Sequence, residues 1–206
     1  MSESSELEIK LPDAKRRRER DFIALFNALW YRDFPIIRGK DMVAGAAMWT
    51  THIASTVKQC ADLLGLFTRF EKQGRTDAVI QKPSSEKNWA KVEWEWYRVL
   101  HERVNEIEKL ATSTDSTDVS IFIGYSLKNE IPDSLKKIRD SWTKEDAPLL
   151  VFIIVFAKAR KGRVFKTLQT YRFANGSSLK LREQHALPWE VPGSRWQATA
   201  SLQDRA

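Results

Sequence analysis

Apolar residues along this chain recur with a spacing near 3.6 in some stretches and alternate or run together in others, and the switches between these periods mark out its elements. Phe22, Leu25, Phe26 and Leu29 fall at i, i+3, i+4 and i+7 and predict a short first helix, after which Pro35 and Gly39 punctuate the chain. From Met42 to about Leu66 the positions Val43, Ala46, Ala47, Ile53, Val57, Ala61 and Leu64 keep helical spacing, so the longest helix is expected there, with Gly65 at its end. Beyond Gly74 the period changes: residues 76–81 and 89–96 predict two strands of a hairpin, joined by Lys-Pro-Ser-Ser-Glu-Lys-Asn. Leu100, Val104, Ile107 and Leu110 return to helical spacing and lead, through a polar loop over 112–117, to an apolar strand over 119–124. A short helix over 131–142 then precedes residues 148–156, whose unbroken β-branched and aromatic content predicts a mid-sheet strand covered on both faces. Residues 164–173 and 178–182 flank Asn175-Gly176, the strongest short hairpin signal, and Pro188 with Pro192 marks an irregular tail. The order predicts an α/β fold, a sheet of mixed direction with helices on both faces.

Composition narrows the setting. At 206 residues the chain suits one domain, expected over 21–206 behind a polar, then basic, mobile segment over 1–20 that ends in Lys15-Arg-Arg-Arg-Glu-Arg20. A net charge of +7 and a pI near 9.5 favour polyanionic partners. The single cysteine, Cys60, allows no internal disulfide and sits on the apolar side of the long helix, as a core residue would. Residues 1–10 are polar and acidic where a secretory signal is apolar, and the longest apolar run, 147–157, is about half of what a spanning helix needs, so a cytoplasmic protein without a membrane span is expected. His52, His101 and His185 show no paired ligand spacing, which argues against zinc, and no phosphate-binding glycine loop is present.

The chemistry concentrates at Asp77 and at Glu93-Trp94-Glu95. In an extended strand Lys91, Glu93 and Glu95 point to one side while Ala90, Val92, Trp94 and Trp96 point to the other, so the apolar set fixes the register of the polar set. Pairing of the two strands brings Asp77 toward the glutamates. Magnesium takes oxygen ligands, commonly one or two carboxylates with waters and phosphate oxygens, and Asp77, Glu93 and Glu95 are of that type. A site of this kind, with Mg²⁺ or Mn²⁺, hydrolyses phosphodiesters by generating hydroxide near neutral pH and neutralising charge on the phosphate. Lys91 is placed to orient the attacking water. The competing reading is plain: alternation is what any half-buried strand shows, and a solvated Lys-Glu-Glu face needs no function.

Asp77, the following strand with Glu93-Trp94-Glu95, the amphipathic helix after it and the apolar strand Asp118-Val-Ser-Ile-Phe-Ile-Gly124 together resemble the core of the PD-(D/E)xK nuclease superfamily, over about residues 43–125. The resemblance implies a restriction endonuclease-like central mixed β-sheet flanked by helices, and a divalent-metal endonuclease acting on DNA. Asp77 would match the family's aspartate and Glu93 its acidic residue; Glu95 stands where lysine is usual, as in the Glu-x-Glu variant of some restriction enzymes. Thr76 replaces the usual proline, and Asp62 or Glu71 are candidates for the acidic residue often supplied from the preceding helix. Cutting a palindrome would require a homodimer. Arg98, in the stretch after the glutamates, and Arg160, Lys161 and Arg163, at a turn between strands with Lys158 and Lys166, are candidate DNA contacts. A catalytically inactive nucleic-acid-binding protein of the same fold is the alternative, and a protein-interaction module using Trp189 and Trp196 of the tail is a third class.

Overall fold

The computed structural model describes residues 14–32, 45–72, 76–83, 87–113, 117–145, 147–159 and 162–185. Two helices come first, α1 (Ala14–Arg32) and α2 (Ala46–Leu63), followed by strands β1 (Phe67–Lys72), β2 (Thr76–Gln81) and β3 (Asn88–Arg98). Helix α3 (Glu106–Thr112), strand β4 (Val119–Leu127), a 3-10 turn Lys128–Glu130 and helix α4 (Ile131–Ser141) precede β5 (Leu149–Ala159), β6 (Gly162–Ala174) and β7 (Ser177–His185). The seven strands form one sheet in chain order. Its centre, β3–β4–β5, is parallel, because helices α3 and α4 carry the chain back across the sheet, and its flanks are antiparallel hairpins.

Strand alternation sorts the side chains into two cores. Ala78, Ile80, Ala90, Val92, Ile121, Ile123, Phe152 and Ile154 face α1 and α2, meeting Phe22, Phe26, Trp30, Trp49, Ile53 and Val57. Phe122, Leu149, Val151, Ile153 and Val155 face the other way, against Ile107 and Leu110 of α3 and Ile138 of α4. Strand β5 is buried on both faces, as its unbroken apolar run requires. Cys60 is buried in the first core. Among the described residues no helix is long and apolar enough to cross a membrane.

Several boundaries differ from the sequence pattern. Helix α1 begins at Ala14, not at Phe22, so the basic run 15–20 lies inside it; Glu19 turns inward and accepts from Arg172 Nε at 2.7 Å. Strand β1 has no counterpart in the sequence pattern. Its apolar residues are few, and Phe67 and Phe70 stay largely exposed; it forms because Gly65, at φ 67°, turns the chain out of α2 onto the edge of β2. The helix expected over 100–110 is shorter and later, since His101 and Val104 bond within turns and the helical run starts only at Glu106. Asn175 and Gly176, at φ 51° and 69°, make the β6–β7 turn. Arg160, Lys161 and the tail residues Pro188, Trp189, Pro192 and Trp196 lie outside the described residues.

A candidate carboxylate site beneath helix α3

The register of β2 on β3 pairs Ala78 with Val92 and Val79 with Lys91, and one further step sets Asp77 beside Glu93. Both carboxylates leave the sheet on the face that α3 covers, because Ala78 and Val92 are committed to the opposite core. The face is therefore not solvated: Glu93 is 3% exposed and Lys91 6%. The alternation is the ordinary one; what departs from a surface strand is a helix lying over its polar side.

The two carboxyl groups hydrogen-bond to each other. Asp77 Oδ2 also accepts the backbone N–H of Trp94 at 2.7 Å. Burial first, and the charge of Asp77 second, push Glu93 up to about 8. Burial raises Asp77 as well, against the lowering effect of the Trp94 N–H and of the bond from Glu93. Glu93 is thus the member of the pair that holds a proton more tightly than a free carboxyl does, as happens where like charges are forced together.

Helix α3 adds two groups that the sequence pattern did not single out. Glu106 is 5% exposed, and its Oε1 accepts from Lys109 Nζ at 3.1 Å. Lys109 and Glu106 both act electrostatically on Asp77 and Glu93. A signal was present: Glu106 lies four residues before Leu110 and next to Ile107, which puts it on the apolar side of the helix.

The other candidates are placed apart from the pair. The Lys91 amine donates to Ser113 Oγ at the end of α3. Glu95 Oε1 accepts the N–H of Tyr97 at 3.0 Å, and its charge acts on Tyr125 and Arg163 instead. The cause is local: the parallel register of β3 on β4 breaks after Trp94, so alternation no longer aims Glu95 with Glu93. Arg98 is paired with Glu130. The Arg163 guanidinium lies 3.7 Å from the centre of the Trp96 ring, with Phe156 and Tyr125 at 4.3 and 4.9 Å, and donates to the Trp96 carbonyl. Asp62 pairs with Lys58 on the surface of α2, and Glu71 is exposed on β1.

Among the described residues no three His, Cys, Asp or Glu side chains converge closely enough to form a metal-holding group. The Asp77–Glu93 pair nevertheless suits a hard divalent cation, which needs one or two carboxylates and completes its shell with water and phosphate oxygens. A divalent ion in place of the Glu93 proton would offset both the burial and, second, the Asp77 charge that raise Glu93.

No protein-family model matches the chain, and no curated protein matches it. Among solved structures, the YaeQ protein from Xanthomonas axonopodis pv. citri aligns over 57% of this chain and 69% of its own, with 8% identity and a TM-score of 0.21. A superposition that loose carries no argument about fold or activity.

Proposed function

We propose that this protein is a metal-dependent endonuclease of restriction endonuclease-like fold that hydrolyses DNA phosphodiester bonds. The observation that carries the reading is the Asp77–Glu93 pair: two carboxylates opposed across β2 and β3 on the face that α3 covers, Glu93 buried and Asp77 half-buried. A structural carboxylate on a half-buried strand is ordinarily turned to water or to a cation; setting two together costs stability, and carboxyls perturbed in this way cluster at functional sites. Asp77 and Glu93 would hold Mg²⁺ or Mn²⁺, which supplies a water acidic enough to ionise near neutral pH and charge to offset the phosphate. In the hydrolysis the water oxygen bonds to phosphorus, the ester P–O bond breaks, and the leaving oxygen takes up a proton in place of the one the water loses. The role of Glu95 in this reading is indirect, since its carboxylate is engaged with Tyr97.

The alternative is a nucleic-acid-binding protein of the same fold without catalysis. The internal engagement of Arg98 and Arg163 weighs on neither side, but the displacement of Glu95 from the pair favours it. Incubating supercoiled plasmid and short duplexes with the protein and Mg²⁺ or Mn²⁺ decides between them. Nicking or linearisation is expected from the wild type and at least ~100-fold less from folded Asp77→Ala and Glu93→Ala proteins. Cleavage that survives in both variants, or a wild type that binds DNA and never cuts it, defeats the endonuclease reading. Light scattering in the same experiments reports whether a homodimer forms, as paired cutting requires.

A further inference from the structure

The proposed reaction brings an anionic phosphate against two carboxylates, so its transition state calls for a positive group that belongs to the protein. Lys91 is on the right face but is buried, and its amine is held by Ser113 at the far end of α3. Lys109 is different. Half of its side chain is exposed (49%), and its charge acts on Asp77, Glu93 and Glu106 together. Lys109 is held by Glu106, which lies three residues earlier on the same face of α3.

Glu106 itself needs explaining. Its side chain is 6% exposed; Oε1 accepts from Lys109, while Oε2 is buried and has no hydrogen-bond partner among the described residues. Leaving a buried carboxylate oxygen without a partner costs stability, so a carboxylate placed only to stabilise the fold would not leave an oxygen in that state. Its geometry makes sense as a tether: one oxygen fixes the lysine, and the buried stem stops the pair from swinging out into water.

We propose that Lys109 is a catalytic residue of this site, the cation that meets the scissile phosphate opposite Asp77 and Glu93, and that Glu106 is the positioning residue that holds it there. The proposal rests on the phosphodiesterase reading above and adds the protein's own source of positive charge to it. It also accounts for how the chain does without a lysine at position 95: the charge comes from the helix that covers the strand, not from the strand.

The test compares full-length wild type, Lys109→Met, Glu106→Gln, the double variant and, as a surface control, Lys136→Met, by duplex cleavage kinetics and by Mn²⁺ binding without DNA. Lys109→Met is expected to lower kcat by about 100-fold or more with KM within a few-fold, since the missing interaction belongs to the transition state. In the same variant Mn²⁺ is expected to bind about 3-fold tighter or more at low salt, because a competing cation has left. Glu106→Gln is expected to lower kcat by about 10-fold, and the double variant to be no slower than Lys109→Met alone, as for residues acting as one unit. A Lys109→Met protein with wild-type kcat and unchanged Mn²⁺ affinity, alongside an inactive Asp77→Ala protein, overturns this proposal and leaves the endonuclease reading standing. A wild type that cuts nothing overturns the endonuclease reading, and this proposal with it.

Discussion

At Glu93, burial and a neighbouring carboxylate act in the same direction, and the result is a proton held up to about pH 8 by a residue that releases it near 4.5 when unfolded. Between those values the folded protein keeps a proton that the unfolded chain has released, so the contribution is full below about 4.5 and is lost as pH rises through about 8. Asp77, Glu106 and Lys109 are the charged groups that face Glu93, and Lys109 opposes the rise without cancelling it. Asp118, whose burial is outweighed by bonds from Lys82 and Lys15, is held low and titrates beneath this window. In EDTA, the melting temperature is therefore expected to fall from pH 5 to pH 8, and Glu93→Gln to flatten that slope and to gain on the order of 2 kcal/mol at pH 8. An unchanged slope in the variant would show that Glu93 does not hold a proton in this range. The pair itself was legible in the sequence, because Ala90, Val92 and Trp94 fix which way Glu93 points. Glu95 was not, because strand alternation carries no information about where the pairing on β4 becomes irregular. For Glu106 the spacing to Ile107 and Leu110 carried a signal, but apolar spacing starts the helix at Leu100, and only docking on β3 shows that Glu106 and Lys109 form its first turn over the pair.

Strand β3 and the β5–β6 hairpin are joined by one side chain. Arg163 lies against the rings of Trp96, Phe156 and Tyr125 and donates to the Trp96 carbonyl, so it ties the start of β6 to the end of β3 across the two strands between them. Burial lowers its pKa to about 10, with Tyr125 and Glu95 acting the other way, and it stays charged at neutral pH. A guanidinium used in this manner is a fastening and not a free phosphate ligand. Arg163→Ala is expected to destabilise the protein by about 2–3 kcal/mol in urea unfolding, because both the cation–π stacking and the packing of the stem disappear. Arg163→Lys is expected to recover less than half of this, since an ammonium cannot stack flat on indole. A lysine variant as stable as the wild type would show that charge alone is sufficient. At this scale the sequence was most readable where one local rule decides the outcome, as at Asn175-Gly176, whose two positive φ angles are those a tight hairpin demands. It was least readable for β1, an edge strand with an exposed face that exists because β2 offers it hydrogen bonds, a property of the neighbour and not of its own residues.

The distribution of charge over the whole molecule decides which surface a polyanion meets. The net charge of +7 says only that one is favoured. The basic run of α1 is the densest in the sequence, yet α1 lies on the face of the sheet opposite to Asp77 and Glu93, and it is partly neutralised at home: Lys15 pairs with Asp118 at 3.1 Å and Arg17 with Asp21 at 3.9 Å. A duplex cut at the carboxylate pair would have to be held from the α3 side or from the strand ends next to it. Lys158 and Lys166 are exposed near the turn between β5 and β6, which Arg163 fastens beside the end of the strand that carries Glu93. Replacing both with glutamine is expected to weaken duplex binding and to flatten the plot of log affinity against log salt by about 0.9 for each phosphate that is no longer neutralised. Replacing Arg16 and Arg20 with glutamine, which removes the same charge from the molecule, is expected to leave cleavage and that slope close to wild type. The two double variants carry equal net charge, so any difference between them comes from position alone. If the α1 variant is the one whose salt dependence flattens, the duplex lies on the far face of the sheet, out of reach of Asp77 and Glu93, and the same chain is then a polyanion-binding protein whose paired carboxylates serve something other than cleavage.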